Sequence, residues 1–175
     1  MITLITGGIK SGKSDFALFL AEQRNSGQNF YFLATAVPID QELKDRIEKH
    51  RKNRKDTWNT VEEPLKLAEA VKNIPHNSTV LLDCITLWIG NMMTENSDFI
   101  DSKIVEKEID GVVTEVRQKE IDLYIVTNEV GSGIIPENQI SRVYLDTIGK
   151  TNKKLACSAD EVYLMTSGVD LKIKG

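Results

Sequence analysis

Residues 1–14 read Met-Ile-Thr-Leu-Ile-Thr-Gly-Gly-Ile-Lys-Ser-Gly-Lys-Ser, and this stretch decides the fold. Residues 2–6 are apolar and β-prone. From Gly7 the chain turns to G-x-x-x-x-G-K-S, and a helical stretch follows from about Lys13. Strand, glycine-rich loop and helix, in that order, make a phosphate-binding loop. Gly7, Gly8 and Gly12 let successive backbone N–H groups turn inward around phosphate oxygens. The positive end of the helix dipole meets the same point. Lys13 supplies a mobile charge for the β- and γ-phosphates, and the Ser14 hydroxyl suits a magnesium ion. A glycine turn that binds nothing is the plain alternative; the flanking strand and helix argue against it.

Working outward, 175 residues suit one domain, taken here as 1–175, a single P-loop nucleotide-binding catalytic domain. The 41% of apolar residues is enough for a core, and a net charge of −4 provides no global basic field for nucleic acid. No apolar run approaches the roughly 20 residues of a membrane helix, and no signal peptide precedes the first strand. Cys84 and Cys157 form no C-x-x-C pair and read as small buried residues in a reducing cytoplasm, not as a disulfide or zinc site.

The chain then alternates elements. A helix over residues 13–23 has Phe16, Phe19, Leu20 and Gln23 marking one face, and the turn at 25–27 ends it. Residues 30–35 form a second, continuously apolar strand. Residues 40–55 form a charged helix with Leu43, Ile47 and His50 on one face; Lys44, Arg46, Lys49, Arg51, Lys52, Arg54 and Lys55 crowd the rest. This is either a solvated helix with a packed histidine or a cationic helix that meets triphosphate through His50. Residues 57–64 are a connection or short strand, and Pro64 can start the next helix, striped by Leu67, Val71 and Ile74. His76 falls in an exposed turn. Residues 78–84 are a strand whose apolar run leads to Asp83, a candidate magnesium ligand. Trp88, Met92 and Met93 on a helix over 85–94 are either core or the wall of an apolar ligand site. Residues 95–98 break that helix.

A long amphipathic helix follows over 102–120, with Val105, Ile109, Val112 and Val116 at helical spacing. The strand over 122–127 ends in Asn128-Glu129-Val130-Gly131, which belongs either to a ligand crevice or to an ordinary loop. A last helix spans 139–159, striped by Leu145, Ile148, Asn152, Leu155, Ala156 and Ala159. Residues 160–166 form a strand, and 171–174 alternate like an edge strand. The expected fold class is α/β: a three-layer P-loop NTPase (RecA-like) with a mostly parallel sheet and a C-terminal edge hairpin. The regions at 7–14, 35–50, 83 and 128–138 all fall at carboxyl ends of strands, so one crevice can serve them.

Residues 6–14, 34–36, 46–50, 82–86, 127–138 and 152–156 together resemble the bifunctional adenosylcobinamide kinase / adenosylcobinamide-phosphate guanylyltransferase family of cobalamin biosynthesis, over essentially the whole chain. The Asn-Glu-Val-Gly loop closing in Pro136-Glu137-Asn138 is the most specific of these stretches. The resemblance implies phosphorylation of adenosylcobinamide by ATP or GTP, then GMP transfer from GTP to adenosylcobinamide phosphate with release of pyrophosphate. It also implies that His50 carries GMP covalently and that the protein is a homotrimer; the motifs and composition read above add Mg2+ as cofactor and a cytoplasmic chain without nucleic-acid partners or a membrane span. Catalytic candidates are His50, Lys13 and Glu129. Nucleotide-binding candidates are Gly7, Gly8, Ile9, Lys10, Ser11, Gly12, Lys13, Ser14, Thr35, Arg46, Arg51, Glu62 and Asp83. Ser14 and Asp83 are the magnesium candidates. An imidazole with its ordinary pKa of about 6.5 is a neutral nucleophile near pH 7, and neighbouring cations favour that form. A single-activity small-molecule kinase and a nucleotide-sensing regulatory module are the rival readings.

Overall fold

Among the described residues thirteen elements follow in order: β1 (Ile2–Gly7), α1 (Lys13–Arg24), β2 (Phe30–Ala34), α2 (Gln41–Lys52), β3 (Trp58–Glu62), α3 (Leu67–Lys72), β4 (Thr79–Asp83), α4 (Ile85–Glu95), α5 (Ser102–Gln118), β5 (Asp122–Val126), α6 (Gln139–Ser158), β6 (Glu161–Thr166) and β7 (Val169–Lys174). The computed structural model describes residues 1–25, 29–52, 55–95 and 101–175, without the side chains of Glu42, Leu43, Arg46, Lys49, His50 and Lys52. Of the helix end read at 25–27 only Asn25, which caps α1, is described; of the break read at 95–98 only Glu95 is described and it is still helical; Arg54 lies outside the described residues.

The strands form one sheet in the order β3-β2-β4-β5-β1-β6-β7. Neighbours pair in parallel from β3 through β6, and β7 returns antiparallel as the edge of a hairpin. Period-two alternation sorts the strand side chains onto two faces. Ile2, Leu4, Leu33, Val80, Leu82, Leu123, Ile125 and Val162 face one cluster, packed with α3, α4, α5 and α6. Ile5, Phe30, Phe32, Leu81, Tyr124, Val126, Tyr163 and Met165 face the other, packed with α1. The result is the three-layer α/β arrangement that the sequence pattern implies.

On α5 the spacing translates directly into burial: Val105, Ile109, Val112 and Val116 are at most 2% exposed. On α1 it does not. The buried residues are Lys13, Ala17, Leu20 and Ala21, while Phe19 is 56% exposed and Phe16 lies 5.3 Å from the Tyr163 ring. The phosphate loop is the reason. It turns Lys13 inward, and the residues one and two turns below it on that face are 17, 20 and 21. Two alanines there bring the helix close to the sheet.

Residues 58–62 are a full strand at the sheet edge, not a connection. Trp58 stacks on Phe30 at 4.9 Å, and its indole N–H donates to Glu22 at 3.0 Å. Helix α3 starts at Leu67 rather than Pro64, because the Glu63 carboxylate first accepts the N–H groups of Leu65 and Lys66, each at 2.9 Å. Trp88, Met92 and Met93 belong to the core: Trp88 is 0% exposed and its indole donates to the Leu65 carbonyl at 2.8 Å.

One ion pair ties the first strand to the last helices. Arg117 on α5 grips Asp160 with two donors, at 2.7 and 2.9 Å, and Asp160 accepts the Ile2 N–H at 2.7 Å. The Arg117 hydrogen bonds foremost, outweighing burial and joined by the Ile2 N–H, hold this carboxyl below the usual carboxylate range.

Two outcomes follow from this packing. Leu20→Ala removes a side chain 6% exposed and should lower the urea unfolding free energy by about 2–5 kcal/mol. Phe19→Ala, at an exposed position of the same helix, should change it by less than about 0.5 kcal/mol. A depressed folded pKa means that the contribution of Asp160 is present above its unfolded value of about 4 and is lost as pH falls through the lower folded value. Asp160→Asn should therefore be less stable than the parent chain at pH 7, and the difference in urea midpoints should shrink in titrations below about pH 4.

Candidate functional site

The loop after β1, the end of β4 and the end of β5 open on one edge of the sheet, with β5 between the other two strands. Within the phosphate loop, Gly7 has φ +150° and a Cβ there would lie 2.3 Å from the Met165 carbonyl oxygen. Gly12 has φ +91°, the conformation that a side chain resists. Gly8 has no protein atom within 4 Å of an added Cβ, so its smallness leaves room above the loop. Lys10 is itself left-handed, at φ 57°.

The loop is braced on both sides. The Glu129 N–H donates to the Gly7 carbonyl at 3.0 Å, and the Gly168 N–H, in the turn between β6 and β7, donates to the Ser11 carbonyl at 3.2 Å. Lys13 is 7% exposed and folds its ammonium back over the loop, onto the Gly8 carbonyl at 2.5 Å and the Ser11 hydroxyl at 3.4 Å. Ser14 follows, half-buried in the first turn of α1; Ile9 and Lys10 project from the loop.

Asp83 ends β4 half-buried, and its peptide bond to Cys84 is cis. The Thr35 hydroxyl accepts the Cys84 N–H at 2.8 Å and donates to the Cys84 carbonyl at 2.9 Å. Thr35 is 0% exposed, so it supports the crevice from beneath instead of lining it. Burial, reinforced by the Asp83 charge, pushes the Cys84 thiol up to about 11, and the neutral thiol sits 3.1 Å from the Thr86 hydroxyl; Cys157, in the last turn of α6, is exposed and not buried as expected. Glu129 is exposed and accepts the Gly131 N–H at 3.2 Å.

Helix α2 stands off the second sheet face over a cavity of about 380 Å³. Lys44, Ile47, Glu48 and Arg51 line it from α2, Phe32 and Ala34 from β2, Thr60 and Glu62 from β3, and Asp83, Cys84 and Leu87 from the β4–α4 junction. Arg51 and Glu62 pair across it at 2.5 Å, both more than half exposed. Arg46 and His50 belong to α2, and their side chains lie outside the described ones. The structure thus brings Glu62, Arg51 and Asp83 to one cavity, with Asp83 two strands across the sheet from the strand that leads into the phosphate loop. His76 stands apart in an exposed turn.

Sequence reading passed over several members. Thr60 is one: it reaches the cavity beside the expected Glu62 because 58–62 is a strand, a pattern already present in the alternation of Trp58, Thr60 and Glu62 on one side. Leu87 is legible only as an apolar helix residue. Thr86, Thr127 and Asn152 form hydrogen bonds beneath the crevice, and nothing in their local spacing signals it. Among the described residues no group of three or more His, Cys, Asp or Glu could hold a metal ion, and no helix is long and apolar enough to cross a membrane. A hydroxyl and a carboxylate at adjoining loop ends fit magnesium, which takes one or two protein oxygens and completes its shell with phosphate and water.

The comparisons agree with this geometry. The family model described as cobinamide kinase / cobinamide phosphate guanyltransferase matches residues 3–173. The bifunctional adenosylcobalamin biosynthesis protein CobU of Escherichia coli is 37% identical, over 99% of this chain and 100% of that one. The bifunctional adenosylcobalamin biosynthesis protein CobP of Pseudomonas aeruginosa is 33% identical, over 100% of this chain and 98% of that one. Among solved structures, the flagellar accessory protein FlaH from Methanocaldococcus jannaschii shares the fold, with a TM-score of 0.54 at 14% identity over 99% of this chain and 77% of that one. A phosphate loop, an acid on the second strand over and a sequence match along nearly the whole length converge: the chain belongs to the cobinamide kinase / cobinamide phosphate guanyltransferase family.

Proposed function

We propose that this chain phosphorylates the aminopropanol hydroxyl of adenosylcobinamide with ATP or GTP, then joins GMP from GTP to that phosphate, releasing pyrophosphate and forming adenosylcobinamide-GDP. The observation that carries this reading is the placement of two sites on one edge of the sheet. A braced phosphate loop with an inward Lys13 stands two strands across the sheet from Asp83, which lines a cavity of about 380 Å³ under α2.

In the first reaction the loop amides and Lys13 hold the triphosphate and neutralise charge building on the γ-phosphoryl group. The acceptor hydroxyl oxygen attacks the γ-phosphorus, the bond to the β-bridging oxygen breaks, and the proton passes to Glu129, which stands exposed at the crevice edge. Ser14 and Asp83 would hold magnesium, which would supply charge neutralisation on the triphosphate. In the second reaction a neutral His50 ring nitrogen attacks the α-phosphorus of GTP and pyrophosphate leaves, held by Arg46 and Arg51. An oxygen of adenosylcobinamide phosphate then attacks that phosphorus and the N–P bond breaks. Glu62 and Thr35 complete the nucleotide site, Glu62 from the cavity wall and Thr35 by holding the Cys84 backbone. The chain acts as one catalytic domain over 1–175, in a cytoplasmic homotrimer.

Protein incubated with magnesium and α-labelled GTP, then denatured, should retain label that survives base and is lost in acid. His50→Ala should abolish labelling and keep most phosphoryl transfer, while Lys13→Ala should lower phosphoryl transfer by about 100-fold or more. A folded parent chain that takes no label but phosphorylates adenosylcobinamide would be a kinase alone. One that does neither would be a nucleotide sensor.

A further inference from the structure

Beneath the crevice a chain of side-chain hydrogen bonds crosses the molecule from α6 towards β2. The Thr127 hydroxyl, fully buried at the end of β5, donates to Asn152 Oδ1 on α6 at 2.7 Å. Asn152 Nδ2 donates in turn to the Asn128 carbonyl at 3.0 Å. Asn128 Nδ2 donates to the Thr86 hydroxyl at 2.8 Å, at the start of α4. Thr86 meets the Cys84 thiol at 3.1 Å, and the Cys84 backbone is held by Thr35.

The two carboxylates of the kinase step each adjoin this chain. Glu129 follows Asn128 and Asp83 precedes Cys84, with Thr86 between the two arms. Asn152 uses both ends of its amide, one on a strand side chain and one on the main-chain carbonyl just before Glu129. An apolar pair would fill the same space at 127 and 152 but would leave the Asn128 carbonyl ungoverned. Among the described residues none of these bonds involves α2, the helix that carries His50.

We infer that Asn152, acting with Thr127, is a positioning residue for phosphoryl transfer, fixing the backbone of Asn128 and Glu129 against Asp83 so that the acceptor hydroxyl meets the γ-phosphate. This rests on the function proposed above. Its signature is selective: the kinase step depends on it and formation of the GMP–protein adduct does not.

Asn152→Asp keeps the acceptor for Thr127 and removes the donor to Asn128; Thr127→Val removes the other bond at nearly constant volume; Thr127→Ser restores the hydroxyl. In both disrupting variants kcat for adenosylcobinamide phosphorylation should fall roughly 10- to 100-fold, since a misplacement of about 1 Å suffices for that. KM for the nucleotide and the yield of GMP-labelled protein should stay within about twofold, and Thr127→Ser should recover the parent kcat. An unchanged kcat in the disrupting variants overturns the role. So does a parallel fall of both activities with the melting temperature, or failure of both variants to fold, since each makes the chain a scaffold only. A parent chain that phosphorylates no adenosylcobinamide overturns the functional reading, and this role with it.

Discussion

Parallel pairing of β4, β5 and β1 is the constraint on which the rest depends. Val126 is the register partner of both Ile5 and Asp83, Ala34 is the partner of Asp83, and Glu62 of Ala34. One row across the sheet therefore runs Glu62, Ala34, Asp83, Val126, Ile5. At about 4.8 Å per strand, Asp83 and the root of the phosphate loop lie about 10 Å apart. A slip of one residue in either pairing would turn Asp83 to the opposite face and dissolve the site while leaving the hydrogen-bond ladder intact.

The phosphate loop transmits this constraint to the second sheet face. Turning Lys13 inward sets the rotation of α1, and that rotation decides which side chains the helix buries. The face so chosen carries Ala17 and Ala21, whereas Phe19 points to solvent. A hydrophobic pattern alone ranks Phe19 above the alanines. The geometry of a catalytic loop reverses that order. The same logic appears at α2, which lies over a cavity rather than over packed side chains, because the sheet beneath it ends in Ala34, Asp83 and Cys84 instead of large apolar residues.

Much of the architecture was legible in the sequence because its signals are local. The glycine-rich loop, the acid at the end of an apolar strand and the stripe of Val105, Ile109, Val112 and Val116 each reside in a short window with one dominant period. The edge strand 58–62 was harder, since one exposed face breaks the apolar run that marks the central strands. Trp88 and the methionines look the same in sequence whether they line a ligand or a core; only the packing of α4 against α6 and the sheet separates the two. The polar chain through Thr127, Asn152, Asn128 and Thr86 was not legible at all. Its members lie up to 66 residues apart along the chain (152 minus 86), and each has an ordinary local explanation as a strand-end or helix residue.

The glycine doublet at the start of the phosphate loop divides into two unlike positions. Position 7 is closed by the protein's own backbone, since the Met165 carbonyl occupies the place of a side chain. Position 8 faces open space. Under sequence drift the first glycine is tied to the hairpin strand behind it, whatever the loop binds. No such steric tie to the protein holds a side chain away from the second. A chain of this fold that abandoned nucleotide binding would be free to replace Gly8, but would keep Gly7 for as long as β6 remained its neighbour.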